Sequence, residues 1–273
     1  RDDRRVFRSL RDYLDWLESK DWLRRTAAPV SADYEITALC HRSLSRHGPA
    51  LFFENPTTGE MPVVGNVFGT TERVVAALGL ASLDELSAFG QQLASLRTPE
   101  IPNSVGSAVR SLATFGGLAH VNPLLDDQPP CQEIVIEGDA VDLDLLPIQT
   151  CWPEDAGRLI TFGLVVTKGP LKDRLNAGIY RQQQIGRNRL IMRWLDHRGG
   201  AIDFAEFRAA HPGKRFPVAV AIGCDPAMTL AAVAPVPDTI SEFQFAGLLR
   251  GEKTVVANCL THDLQEIGRA SWR

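Results

Sequence analysis

Apolar residues recur at helical spacing near the start of the chain. Phe7, Leu10, Leu14 and Leu17 form one stripe, which predicts a helix ending near Lys20. Ser31 stands before ADYEITALCHRSL, with Glu35 in the first turn and Gly48 beyond the end, and predicts a second helix. ALFFENP and MPVVGNVFG are short apolar runs closed by proline and glycine, hence strands. Thr71 and Ser82, followed by Glu72 and Glu85, introduce two further helical patterns. Helices interleaved with short strands make this first part α/β or α+β.

From about Arg97 to Pro130 the pattern weakens, and RTPEIPNSVG, FGGLAHVNP and DDQPP supply the breakers of a connecting region. Beyond it the pattern is strand-like in QEIVIEG, LITFGLVVTKG, LNAGIYRQQQ, LIMRWLD and FPVAVAIGC. The second of these is apolar on both faces, as a buried barrel or sandwich strand would be. Asp225-Pro226 opens a helix through Val233, with proline at its first position. DTISEFQFAGLLRG predicts another helix, ended by Gly251, and TVVANCL a strand after it. The expected organisation is an α/β unit over residues 1–125 and a mostly β unit over 126–273.

Composition removes several function classes. A chain of 273 residues holds one large domain or two ordinary ones, and 44% hydrophobic with 23% charged residues is ordinary for a globular protein. A formal net charge of −4 argues against a general nucleic-acid binder. The five cysteines are scattered and form no CxxC pair, which excludes a zinc ribbon and predicts reduced thiols in the cytoplasm. No apolar run approaches the ~18 residues of a membrane span. RDDRRVFRSL lacks the apolar core of a signal peptide, and its first residue predicts a chain that begins inside a longer protein.

Against that mildly acidic background, NAGIYRQQQIGRNRLIMRWLDHRGG concentrates Arg181, Arg187, Arg189, Arg193 and Arg198 on two strands joined by a turn at Gly186 and Asn188. Guanidinium groups bind phosphate and carboxylate through paired N–H donors, so the hairpin points to a small anionic ligand. Arg181 and Arg193 are expected to face each other across the strands and to open toward a cavity between the two units. Trp194 could stack on a ring, and HRGG would let backbone approach a ligand closely. The competing reading is a solvated strand face, because no short motif of this kind is specific.

Asn176 and Glu242 carry oxygens suited to a hard cation such as Mg²⁺ or Mn²⁺ that also touches a phosphate. Each has a plainer reading. Thr239 to Glu242 fits a capping box at a helix start, and Asn176 fits a turn. Asn176 and Arg181 are five apart and point to opposite faces of an ideal strand, so a shared ligand predicts a bulge at Gly178. His197 beside Arg198 is a third ligand candidate, though a structural histidine is the commoner case. TCWPEDAG reads as a tight loop in which Glu154 and Asp155 start a turn. No Ser-His-Asp order, P-loop or G-x-G-x-x-G is present. Residues alone thus lead to a phosphorylated, aromatic ligand with a divalent metal.

CWPEDAG, NAGIYRQQQIGRNRLIMRWLDHRGGA, HPGKRFPVAVAIGCDP and VAPVPDTISEFQFAGLLRG together resemble the UbiD family of decarboxylases. The likeness is greatest to members that act on 4-hydroxy-3-polyprenylbenzoate in bacterial ubiquinone biosynthesis. GPALFFENP and MPVVGNVFGT extend it over nearly the whole chain. The resemblance implies an N-terminal α/β domain followed by a split β-barrel that binds prenylated FMN. The cofactor's phosphate would be held through Mn²⁺, with K⁺ as the nearby monovalent ion. Asn176 and Glu242 match the family's metal ligands, with His197 as a third. Ile179, Tyr180 and Arg181 match one cofactor-contacting segment, Arg193, Trp194 and Leu195 a second, and Arg198 and Gly199 a third. Arg181 matches the catalytic arginine that pairs with two acids beside the reactive face of the flavin. The implied chemistry is non-oxidative decarboxylation, with the flavin as electron sink and a protein acid returning the proton.

In the family those acids follow THDL, and EIGRASWR does not resemble that continuation. The expectation is therefore a chain without the family's C-terminal part, which alone binds flavin weakly or not at all and does not decarboxylate. Its final strand, near Val255 to Leu260, is expected to lack a partner on one side. Implied partners are a polyprenylated aromatic acid and further copies of the chain, with peripheral contact at the inner face of the cell membrane and no nucleic acid. The alternative is a flavin-binding split-barrel module without decarboxylase chemistry.

Overall fold

A computed structural model describes residues 5–97, 122–236 and 240–270. Most of the expected connecting region lies outside them. Helix α1 spans Leu10–Ser19 and ends at Lys20, as its stripe predicts, with Tyr13, Leu14 and Leu17 buried. Ser9 starts it through a capping box with Asp12, satisfying N–H groups that have no partner within the helix. Strands β1 (Leu23–Thr26), β2 (Ala50–Phe53) and β3 (Val63–Gly65) form one sheet, β1 parallel and β3 antiparallel to β2. Helix α2 begins only at Glu35, behind Tyr34 at φ 67°, so Ser31 does not cap it. The Glu35 carboxylate instead accepts the Ser31 backbone N–H at 2.7 Å. Helices α3 (Thr71–Ala77) and α4 (Leu83–Arg97) follow, and Phe7, Tyr13, Leu17, Leu23 and Ala50 pack into one core cluster.

The second part consists of short strands in three small sheets. They are β4 (Leu124–Leu125), β5 (Leu159–Ile160), β6 (Leu164–Thr167), β7 (Asn176–Ile179), β8 (Gln182–Gly186), β9 (Arg189–Met192), β10 (Ala219–Ala221), β11 (Val255–Asn258) and β12 (Gln265–Ile267). The strand orders are β10-β6-β7, β12-β11-β4 and β5-β8-β9, and none of these sheets closes into a barrel among the described residues. The whole is a mixed α/β architecture. Its helices are α5 (Gly199–Ala210), α6 (Pro226–Ala231) and α7 (Glu242–Arg250). Asp225 caps α6, and Gly251 ends α7 in the left-handed conformation at φ 76°. Phe243, Met228, Leu164 and Val166 centre the main core, and Leu230 packs against both this cluster and the N-terminal one.

Several strand expectations need correction. QEIVIEG forms no strand, and Ile134, Val135 and Ile136 stay about half exposed. Alternation describes a face to be buried, but a strand also needs a neighbour for its backbone groups. LNAGIYRQQQ is interrupted at Tyr180–Arg181, and β7 and β8 lie in different sheets. Strand β11 pairs with β4 on one side and β12 on the other, so the last apolar strand does not lack a partner. Strand β4 also puts Leu124 and Leu125 on the sheet of the second part. All five cysteines are free thiols.

Candidate functional site

The start of α7 decides what Glu242 can do. Its capping box is formed by Ser241 and Gln244, not by the pair Thr239 and Glu242, and Thr239 lies outside the described residues. Glu242 is thereby the first residue of the helix with its carboxylate released from capping. Its Oε2 accepts the backbone N–H of Ala177 at 3.0 Å, across from β7. Burial pushes the Glu242 carboxyl above the usual carboxylate range, and the Ala177 N–H opposes that shift. A half-buried acid held this way gains from a cation beside it.

Asn176, the residue before Ala177, opens β7 directly opposite Thr167, the last residue of β6. It is 9% exposed, and its Nδ2 donates to Thr167 Oγ1 at 3.1 Å. Its Oδ1 faces Gly199, where any Cβ would run into it. The two metal-ligand candidates are thus both tied to the start of β7, Asn176 as its first residue and Glu242 through the Ala177 N–H. His197 is exposed, and no group of three or more His, Cys, Asp or Glu side chains able to hold a metal converges among the described residues.

The same corner receives the N-terminus of α5. Arg198 is its N-cap and gives no side-chain cap, and the first turn holds no acidic residue. Backbone N–H groups at such a terminus, reinforced by the helix dipole, suit an anion. Gly200 N–H donates to Tyr180 Oη at 3.5 Å, and a Cβ at Gly200 would lie 3.2 Å from Trp194 Cε2. Gly178 shows no bulge; it pairs regularly with Val165, and a Cβ there would lie 2.8 Å from Tyr180 Cε2, so glycine leaves room for the ring. Burial raises the Tyr180 phenol, against the Gly200 N–H and the positive charge of Arg198. Trp194 packs edge-on against Tyr180, Phe204 and Phe216, and its Nε1 is buried without a hydrogen-bond partner.

The arginines divide differently from the expectation. The β8–β9 ladder closes at Gln182–Met192, one position before Arg181 and Arg193, so these two do not form a facing pair. Arg181 turns to Asp155, with Nη2 at 2.9 and 3.1 Å from its two carboxylate oxygens, and its side chain is 49% exposed. It lines neither of two cavities, one around Arg8, Arg250 and Arg269, the other a groove of about 320 Å³ between Ile134–Glu137 and β10. Arg187 is bound at Nε by Asp142 at 3.0 Å, so its anion comes from the protein itself. Ile179 packs against the main core, whereas Leu195, Arg193 and Arg198 are exposed. The tight loop of TCWPEDAG therefore has a further role, as Asp155 holds Arg181. Thr167 and Asp203, which adjoin Asn176, carry no motif in the sequence.

Residues 123–271 match the family model described as the 3-octaprenyl-4-hydroxybenzoate carboxy-lyase Rift-related domain, and residues 14–93 match the corresponding N-terminal domain. The chain is similar to the UbiD-class enzyme HmfF of Pelotomaculum thermopropionicum, solved in complex with FMN, at 27% identity and TM-score 0.78 over 96% of this chain and 53% of that one. An evolved dimeric form of HmfF, solved with prFMN, matches at 26% identity and TM-score 0.78 over 97% and 56%. The vanillic acid decarboxylase of Sedimentibacter hydroxybenzoicus, in closed form, matches at 26% identity and TM-score 0.80, covering 98% and 54%. The chain spans about half the length of these solved relatives.

Proposed function

Because the chain belongs to the UbiD family of carboxy-lyases, we propose that it carries the flavin-phosphate corner of a prenylated-FMN-dependent decarboxylase of aromatic acids. The observation that supports this best is the placement of Asn176 Oδ1 against Gly199 at the uncapped N-terminus of α5, with Glu242 bonded to the next residue of β7. Hard oxygen donors next to an anion-binding helix end suit a phosphate and a divalent cation together. On this reading the start of α5 at Gly199 holds the phosphate through its backbone N–H group. Asn176 Oδ1 and the Glu242 carboxylate take Mn²⁺, with exposed His197 free to join them and K⁺ as the accompanying monovalent ion. Tyr180, Arg193, Trp194, Leu195 and Arg198 border the flavin, and Ile179 supports it from the core side. When bound, prenylated FMN supplies the electron sink for the carbon–carbon bond that breaks.

Arg181 is the catalytic candidate, placed by Asp155 at the exposed end of β8. The proposed substrate is 4-hydroxy-3-polyprenylbenzoate, released as 2-polyprenylphenol in ubiquinone biosynthesis. Vanillic acid decarboxylase among the relatives makes a small aromatic acid the competing substrate class. A polyprenyl tail calls for peripheral contact with the inner face of the membrane; no helix among the described residues is long and apolar enough to cross one. The dimeric relative supports a homo-oligomer. A second reading, flavin binding without decarboxylation, is favoured by the exposure of Arg181 and its pairing with a single acid, Asp155, among the described residues.

The test exploits the paramagnetism of Mn²⁺, which detects even weak binding. Added with FMN, the ion is expected to broaden the amide resonances of Ala177, Gly199 and Glu242 first. Asn176→Ala and Glu242→Ala should abolish that pattern. Broadening centred elsewhere, or unchanged in both variants, overturns the reading.

A further inference from the structure

Asn176 can serve a metal only if its amide presents oxygen, and side-chain geometry alone does not fix which end of an amide points where. Here the neighbours fix it. Asp203, on the inner side of α5, is 1% exposed. Its Oδ1 accepts from Lys172 Nζ at 2.8 Å, which leaves Oδ2 for Thr167. Thr167 Oγ1 lies 2.7 Å from Asp203 Oδ2 and gives it the single hydroxyl proton. Toward Asn176, 3.1 Å away, the same Oγ1 can then only accept. The atom of Asn176 that meets it must be the NH₂ group, and Oδ1 is forced to the opposite side, against Gly199.

We infer that Thr167 and Asp203 are positioning residues that lock the Asn176 amide with its oxygen turned toward Gly199 at the start of α5. The inference deepens the proposed function and rests on it for the identity of what Asn176 holds. The chain of hydrogen bonds runs one way, from Asn176 NH₂ to the Thr167 hydroxyl to the Asp203 carboxylate, and all its members lie deep in the structure. Thr167 is fully buried and sits opposite Asn176 in the β6–β7 ladder. The enclosure is tight on the far side as well. A Cβ at Gly169 would lie 2.9 Å from Asp203 Oδ1 and 2.5 Å from Glu206 Oε2. Lys172 also reaches Glu206, at 3.5 Å, and so supplies positive charge to both acids. The electrostatic influence of Asp203 extends to the site, since its charge raises both Glu242 and Tyr180, although burial dominates at each. A cation bound by Asn176 and Glu242 would therefore sit within the field of a third, non-ligating carboxylate. Partners of this kind, one bond removed from a metal, commonly change metal affinity by roughly 10–100-fold.

The decisive variants are Thr167→Val, which keeps the shape and deletes the hydroxyl, and Thr167→Ser, which restores it. The first readout needs no cofactor. In the 273-residue chain the two Asn176 side-chain N–H resonances, assigned by their loss in Asn176→Ala, are expected to exchange slowly with solvent. Thr167→Ser should keep that protection and Thr167→Val should lose it. The second readout is the Mn²⁺ concentration, with FMN present, that half-broadens the Ala177 amide. It should rise about 10–100-fold in Thr167→Val and stay within about twofold in Thr167→Ser. If Thr167→Val does not fold by circular dichroism, Asp203→Ala replaces it, since deleting the acceptor frees the Thr167 proton and releases the amide.

A protected amide and unchanged Mn²⁺ response in a folded Thr167→Val chain overturn the inference. If Asn176→Ala leaves the Mn²⁺ response unchanged, the metal-corner reading fails, while the amide measurement still decides whether Thr167 and Asp203 lock the side chain.

Discussion

Glu242 carries two opposed requirements in one side chain. Burial raises its carboxyl, so the folded protein holds the proton to higher pH than the unfolded chain does. As pH rises from the ordinary carboxylate range through the folded-state value, the unfolded form binds fewer protons, and stability falls. Glu242→Gln keeps an acceptor for the Ala177 N–H and removes the buried charge. In the absence of metal it is expected to raise Tm at pH 7, with the gain vanishing as the pH is lowered below the carboxylate range. It should also eliminate the Mn²⁺ response. Thermal melts at several pH values check the first outcome, and a lower Tm at pH 7 would contradict it. Such a residue is legible in sequence only as a candidate, because TISE and SEFQ offer two capping frames and tertiary contact selects the second. Asn176 was legible through its place in the hairpin segment. Thr167 and Asp203 were not, because they lie 36 positions apart and meet only after α5 docks on β6.

At the scale of elements, pattern succeeded where each piece was amphipathic and locally capped. Helix α1 has its buried face at helical spacing and its start and stop in the adjoining residues. Helix α5 escaped detection because its inward side is marked by Gly200 and Asp203, while Ile202 is exposed. A reader of polarity puts that aspartate in water. The strands failed where pairing partners decided the outcome, as in QEIVIEG and at the break between β7 and β8. The observed capping box gives a direct test at this scale. Ser241→Ala removes the acceptor for the Gln244 N–H and should cost about 1 kcal/mol in chemical denaturation. It should also weaken the Mn²⁺ response, because Glu242 is the next residue. Thr239→Ala should do neither; a larger loss there would restore the frame that the sequence suggested.

Across the whole molecule, a mixed α/β class was readable because helix and strand periods differ, whereas the division into small sheets depends on long-range pairing that no local period encodes. The parts are joined by modest contacts. Leu230 touches both main clusters, Thr150 Oγ1 bonds Asp33 at 2.7 Å, and Arg8 forms a paired ion contact with Glu252. The last is exposed and contributes little to stability. Ile134 to Ile136, exposed beside the groove at β10, is an apolar surface next to a strand edge that has no partner among the described residues. Surfaces of this kind promote association. Replacing Ile134 and Ile136 with Lys is expected to reduce concentration-dependent self-association in sedimentation, with Tm nearly unchanged. A large fall in Tm would mean that these residues support the fold itself.

Tyr180 and Arg181 join the arginine hairpin to β7 as a leaf to a post, and β5, Asp155 and Asp142 hold the leaf further along. The post is β6–β7, where Val165 and Val166 are fully buried and Asn176 is anchored. The leaf is β8–β9, with Ile185 and Ile191 exposed, in a separate sheet. A leaf with less burial opens more cheaply than its post. Amide hydrogen exchange is expected to run at least tenfold faster along β8–β9 than along β6–β7, and equal rates would mean that both open as one piece. With that difference in place, a large flat ligand could enter where the hairpin yields while the β6–β7 end stays closed.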